Sequence, residues 1–413
     1  MRVLIYAINF FPEQISTGKY TGELAYWLAA RGYQVRVVTG LPHYPQWKVA
    51  NGYHSWKFCL ETPSEFNGHL NIFRSPLWVP RQPAGVRRIL HLLSFVVLSF
   101  PLMLWQVFWR PHVVITVEPT VLCAPTALLV SRLAGANVWL HIQDFELEAA
   151  HNLRMFRGRR LLKVLARLEG VVFRLFDRVS SISPAMVRRV VAKGVRQDRT
   201  RLLPNWVDTS HIFPDSSTSA YRRLLGISET TVVVLYAGNI GRKQGLEIIP
   251  QVADCLADRK DVLLVVAGDG AERASLAAMA KQRPNMRMIG LVDSSRLNDL
   301  LNMADIHLLV QRGDVEDLVM PSKLTGMCAS GRPVIATANA GTQVAEVVMQ
   351  RGMVVPPGDA VAVAGAIRKL ADDAWLRKLY GDAARKYAVC HWGKELVLTQ
   401  FESELISLEK LSG

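Results

Sequence analysis

Three glycines and two cations sit close together in GNIGRKQGLE, residues 238–247, directly after the apolar run VVVLYA. Gly238, Gly241 and Gly245 let a loop backbone approach a ligand closely, while Arg242 and Lys243 supply positive charge. That combination suits a diphosphate. A second turn, AGDG at 267–270, brings Gly268 and Asp269 to the end of another apolar run, and taken alone it is a tight turn. In a third, PSKLTGM at 321–327, Pro321, Ser322, Lys323 and Leu324 open a helical run. The unpaired N–H groups of a helix start favour an anion. The long loop NFFPEQISTGKYTGELA (9–25) places Gly18 and Lys19 at another such start. Glu316 and Asp317 precede the Pro-Ser-Lys turn and could reach the same ligand, or simply be solvated.

Other chemistries lack their residues. Histidines and carboxylates are dispersed and no D-x-D triplet follows a strand pattern, so no metal and no cofactor is expected. No G-x-S-x-G elbow or Cys-His pattern supports a hydrolase. GNIGRKQG is not a P-loop and no G-x-G-x-x-G follows the first strand, which removes ATPase and dehydrogenase readings. The five cysteines, Cys59, Cys123, Cys255, Cys328 and Cys390, form no C-x-x-C pair. That excludes the usual zinc spacings and points to a reducing compartment. MRVLIYAINFFPE runs straight into a strand pattern without a small-residue cleavage site, so the expected location is cytoplasmic.

Short β-branched runs alternate with helical stretches along the chain, and they must position these turns. Strands are expected at 3–9, 35–40, 112–118, 137–144 and 179–183, then at 232–239, 262–268, 286–291, 306–311 and 333–337. Between the first two, Tyr20, Leu24, Trp27 and Leu28 fall on one helical face that Gly32 ends. Near-continuous apolar strands separated by helices imply α/β architecture with parallel sheets covered on both faces. At 413 residues the chain exceeds one comfortable core. LPNWVDTSHIFPDSSTSA (203–220), rich in Pro, Ser and Asp, marks the break. We expect two Rossmann-like, doubly wound domains at 1–205 and 206–388, facing across a cleft at the carboxyl ends of their strands. Residues 389–413 are expected to form a helix packing back toward the first domain.

Charge and hydropathy are unevenly placed. The net charge is +14, and residues 151–201 hold fourteen Lys or Arg against Glu169, Asp177 and Asp198. Such a block attracts anions or forms a solvated helix face, and no recognition motif points to nucleic acid. The run 89–109, ILHLLSFVVLSFPLMLWQVFW, is long enough to span a bilayer, with Arg87, Arg88 and Arg110 flanking it and Trp105 and Trp109 near one end. Three readings stand: a span, a buried core helix, or a helix dipping into one leaflet. The strand pattern that follows at once speaks against a span.

In order, TGKYTGELAYWLAARGYQVRVVTG, SISPAM, LPNWVD, YAGNIGRKQGLE, VVAGDGAER, PSKLTGMCASGRPVIAT and a late HW resemble family 4 glycosyltransferases. HYPQW (43–47), LHIQD (140–144), GNIGRKQGLE and PSKLTGM are similar to the subgroup serving colanic-acid and O-antigen assembly, including N-acetylfucosamine transferases. The resemblance covers nearly the whole chain. It implies the GT-B fold and retaining transfer of a sugar from a UDP- or GDP-sugar to an undecaprenyl-diphosphate-linked acceptor. It implies a donor site in the second domain and an enzyme peripheral on the inner face of the cytoplasmic membrane. The chain departs from the family at several points. Asn239 and Gln244 stand where many members carry Arg and Lys, and Leu318 and Gly326 stand where paired glutamates are usual. Gln143-Asp144 replaces a common His-Asp, with His141 two positions upstream and Glu118-Pro119 at another strand end. On this likeness Arg242 and Lys243 would stabilise the leaving phosphate, while Asp144, His141 and Glu118 would orient acceptor or donor sugar. A nucleotide-sugar epimerase and a non-catalytic membrane scaffold remain as alternatives.

Overall fold

The computed structural model describes residues 1–13, 17–82, 85–118, 121–145, 159–215, 219–241, 244–313 and 320–410. It divides into two units, Met1–Pro204 with Leu398–Gly413, and Asn205–Val397. The second boundary falls later than residue 388. Tyr387 and Trp392 meet edge to face, and the Val207 N–H donates to the Trp392 carbonyl at 2.8 Å, which keeps the HW segment with its own unit.

In unit 1, strands β1 (Arg2–Ala7), β2 (Gln34–Gly40), β3 (Cys59–Glu61), β4 (Leu70–Ser75), β5 (Val113–Glu118), β6 (Asn137–Ile142), β7 (Arg178–Ser181) and β8 (Thr200–Leu202) make one sheet. Their order is β3-β4-β2-β1-β5-β6-β7-β8, parallel except for β3 against β4. The helices are α1 (Thr17–Ala30), α2 (Val86–Trp109), α3 (Ala124–Ala134), α4 (Arg159–Arg174) and α5 (Pro184–Ala192). Tyr20, Leu24, Trp27 and Leu28 are buried as the α1 periodicity requires, and Gly32 ends that turn at φ +84°. β3, β4 and β8 went unforeseen. Within β4 the buried Arg74 makes the segment look polar, and Glu61 of β3 neutralises it through paired contacts. The last stretch of chain joins this unit through Leu398, Phe401, Leu405 and Leu408, all buried, with Phe401 4.8 Å from the Trp139 ring.

In unit 2, β9 (Val232–Ala237), β10 (Val262–Ala267), β11 (Met286–Ile289), β12 (Ile306–Leu309), β13 (Val334–Thr337) and β14 (Gly352–Val355) are all parallel, in the order β11-β10-β9-β12-β13-β14. That is the doubly wound order, with the direction of winding reversing between β9 and β12. Helices named below are α6 (Ile248–Cys255), α7 (Lys323–Ala329), α8 (Ala360–Asp372) and α9 (Lys394–Lys410), the last ending in unit 1. Val234, Tyr236, Val266 and Leu308 form a core with Val252 of α6 and Ile367 of α8. β14 was also missed. It is four residues long and opens on Gly352, where an added Cβ would lie 1.8 Å from the Val334 carbonyl oxygen.

Candidate functional site

In an open α/β sheet a ligand binds where the winding reverses, outside the carboxyl ends of the strands. In unit 2 that point collects most of the turns singled out above. The Gly238 N–H donates to the Ala267 carbonyl at 2.9 Å and the Ile240 N–H to the Asp269 carbonyl at 2.8 Å, so the loops after β9 and β10 run together. An added Cβ on Gly268 would sit 2.0 Å from the Gly238 carbonyl oxygen, and one on Gly270 would sit 2.4 Å from that of Ile240. Both residues have φ near +150° or slightly below, which only glycine adopts readily. Gly268 is therefore required by loop-to-loop packing. Asp269 is exposed and bends back onto its own loop, its Oδ1 accepting from the Gly270 N–H at 2.8 Å, and Asn239 is exposed as well.

Lys323 reaches the same point from the start of α7. Its Nζ lies 4.3 Å from the Tyr236 ring centroid and donates to Tyr236 Oη at 3.1 Å and to Gln244 Oε1 at 3.4 Å. Tyr236 Oη in turn donates to the Asn239 carbonyl at 2.7 Å. Burial lowers the lysine's pKa to about 7 and raises that of the Tyr236 phenol. Among the described residues no ion pair involves Lys323. The helix start itself contributes less than expected. The Leu324 N–H donates to the Pro321 carbonyl at 3.0 Å and that of Thr325 to Ser322 at 3.3 Å, and the Leu324 side chain is in the core. Ser322 is exposed.

Beside Gln244 opens a cavity of about 370 Å³, lined by Gly245, Glu247, Ile248, Gln311, Arg312 and Gly313 among others. Thr337, at the end of β13, holds its wall. The Thr337 hydroxyl accepts from the Gln311 N–H and donates to the Gln311 carbonyl, each at 2.8 Å. Arg312 and Glu247 were not foreseen as lining residues, since they are brought together from positions 65 residues apart by the β9–β12 pairing. Arg242, Lys243, Glu316, Asp317 and Leu318 lie outside the described residues.

Unit 1 carries a second cluster. Glu118 is buried at the end of β5 opposite Ile142, and Asp144 follows β6. His141 is buried with both ring nitrogens occupied, Nδ1 2.9 Å from Ser180 Oγ and Nε2 2.9 Å from the Gln143 amide nitrogen. Burial lowers its pKa to about 3, so the ring is neutral and serves to hold Gln143 and Ser180. At the start of α1, Gly18 faces protein instead of offering an open anion site. An added Cβ there would meet the Glu13 carbonyl oxygen at 2.9 Å and Glu13 Oε2 at 3.2 Å. Lys19 lies 3.9 Å from Glu23.

Sequence reading passed over Glu13. Its Oε1 accepts from the His43 and Tyr44 N–H groups and its Oε2 from Asn9 Nδ2, all at 2.8 Å. Burial raises its pKa against the lowering effect of those bonds and of Arg74. The His43 ring lies 4.8 Å from that of His91 on α2, and the Trp47 ring 5.3 Å from His91. HYPQW and the 9–13 loop were visible as motifs, but their meeting with α2 was not.

Residues 17–206 match the Glycosyl transferase 4-like domain and residues 231–373 the Glycosyl transferases group 1 domain. Two sheets of Rossmann type, each matched by a sugar-transferase domain, define a glycosyltransferase of the GT-B class, and the chain belongs to glycosyltransferase family 4. It is 37% identical over 415 residues, 98% of this chain and 100% of the relative, to the putative colanic acid biosynthesis glycosyl transferase WcaI of Escherichia coli K12. Among solved structures, sucrose-phosphate synthase from Thermosynechococcus elongatus superposes with TM-score 0.74 at 18% identity, covering 99% of both chains. Anabaena HepE in complex with UDP-glucose gives 0.67 at 16% identity, covering 98% of this chain and 100% of its own.

Proposed function

We propose that the protein transfers a sugar of the fucose or N-acetylfucosamine type from a UDP- or GDP-sugar to an undecaprenyl-diphosphate-linked oligosaccharide. The transfer would take place at the cytoplasmic face of the membrane, in assembly of a surface polysaccharide of the colanic-acid or O-antigen kind. The observation that carries this reading is Lys323, whose Nζ is held by Tyr236 and Gln244 at the winding reversal of unit 2. An anion there restores the charge balance that burial disturbs. WcaI, by its name a colanic-acid transferase, and HepE, solved with UDP-glucose, support the polysaccharide and donor classes.

In the proposed step the acceptor hydroxyl oxygen bonds to the anomeric carbon as the bond from that carbon to the donor phosphate breaks. The hydroxyl proton passes to the leaving phosphate on the same face, which retains configuration. Lys323, joined by Arg242 and Lys243 from the neighbouring loop, stabilises charge growing on that phosphate, with no metal needed. Asp144, Glu118 and His141 orient the acceptor or donor sugar, the His141 ring being fixed by Ser180 and Gln143.

Nucleotide release from a panel of UDP- and GDP-sugars, with and without membrane extract containing undecaprenyl-linked glycans, tests the reading. The expected result is acceptor-dependent release of one nucleotide with its sugar recovered on lipid. Sugar inversion without acceptor would identify an epimerase. Intact nucleotide binding with no release across the panel would identify a scaffold, consistent with Leu318 and Gly326.

A further inference from the structure

Helix α2 is apolar on the side it exposes. Its exposed positions are Val86, Leu90, Leu93, Val97, Trp105 and Phe108, with Pro101 on the same side and Arg87 as the only charged member. Steps of three and four residues keep them on one stripe. Phe108 is 84% exposed and Val97 67%. The inward side mixes Leu92, Phe95 and Met103 with polar residues. Ser99 Oγ lies 2.7 Å from Tyr6 Oη, Gln106 Oε1 accepts from Arg36 at 3.1 Å, and His91 Nδ1 lies 2.6 Å from the Trp78 carbonyl oxygen. A helix facing water carries charged and polar residues on its exposed side. A contiguous exposed apolar stripe of this length marks an interaction surface.

The stripe has neighbours. α3 packs beside α2 and exposes Leu129 and Leu133 next to Arg132. α4 exposes Val164, Leu168 and Val171 interleaved with Arg167 and Arg174. The connections β4 to β5, β5 to β6 and β6 to β7 all move the same way along a parallel sheet. Right-handed crossovers therefore put α2, α3 and α4 on one face of it. Arg87 and Arg110 stand at the two ends of α2. Apolar stripes rimmed by arginine match the acyl boundary and phosphate headgroups of an anionic leaflet.

We infer that this face of unit 1 seats in one anionic lipid leaflet, with α2 lying in the bilayer plane. α2 is long and apolar enough to cross, but a crossing would strip Tyr6 and Arg36 of the partners they hold on its inward side. The inference deepens the proposed function by naming the surface that meets the membrane. Its test needs neither donor nor acceptor, so the two can fail separately.

The full chain is floated with vesicles of phosphatidylglycerol and phosphatidylethanolamine, and separately with phosphatidylcholine alone. Wild type should float with the anionic vesicles. A Leu93→Ser/Val97→Ser/Phe108→Ser variant should lose bound fraction by about tenfold or more, with unchanged melting temperature and UDP binding. Brominated lipids should quench Trp105, and Trp105→Phe should show correspondingly less quenching, a readout that needs no disruption of the stripe. Flotation of the triple variant equal to wild type, wild type left unbound by anionic vesicles, or quenching indifferent to Trp105→Phe overturns the inference. So does a wild-type dimer, abolished in the triple variant, that shows no lipid binding.

Discussion

Lys323 combines a charge with surroundings that resist it, and its titration should report on the ligand. The free ammonium titrates at about 7. An anionic nucleotide stabilises the charged form, so UDP binding should draw in a proton. Affinity should then fall by about tenfold per pH unit as pH rises above 7, until the pKa of the bound state is reached. Calorimetric titrations from pH 6 to 9 would show that slope in wild type and a flat profile in Lys323→Met. A slope surviving in the variant would assign it to another group. Stability runs the opposite way. The folded pKa lies below the unfolded value of 10.5, so the unfolded chain holds more protons between the two and stability rises with pH across that window. At this scale the sequence is half legible. Pro-Ser-Lys announced the lysine, whereas Tyr236, 87 positions away, follows only from placing β9 beside β12. His141 was legible as a strand-end histidine, and its two hydrogen bonds, which settle its neutral form, were not.

Helix α7 is seven residues long and carries Gly326 in its interior. An added Cβ would meet only Leu301 Cδ1, at 3.5 Å, an ordinary contact. No crowding requires the glycine, which costs a helix about 0.8–1 kcal/mol relative to alanine. Gly326→Ala should stabilise the protein by about 0.5–1 kcal/mol and raise its melting temperature by about 1–3 °C, with turnover unchanged. A matched rise in stability and loss of turnover would instead mean that the donor occupies this space. Elements were read well where burial is two-sided. All ten expected strands occur, with ends shifted by at most two residues. The missed ones are short or carry charge. β8 is three residues, and β4 hides Arg74 whose partner Glu61 lies on another strand.

At the scale of the whole molecule, the first unit is not finished until residues 398–410 are made, after the whole of the second. Removing residues 398–413 would strip four buried side chains, Leu398, Phe401, Leu405 and Leu408. At roughly 1.5–3 kcal/mol each, that loss is comparable with the 5–15 kcal/mol about which native proteins are stable. The truncated protein should exchange amide hydrogens rapidly across β5–β8 while β9–β14 stay protected. Uniform protection would show that unit 1 closes without this segment. The two-domain division was legible in LPNWVDTSHIFPDSSTSA, but a return of the chain to its first domain carries no local signal beyond an amphipathic helix. The polar contacts on the inward side of α2 also bear on the order of synthesis. The strands that take up its inward side chains, β1, β2 and β4, all precede it in the chain. As Trp109 leaves the ribosome, Tyr6 and Arg36 are already available to Ser99 and Gln106. Docking onto β1, β2 and β4 is thus open to the helix as soon as it is made, in competition with capture by a translocation channel.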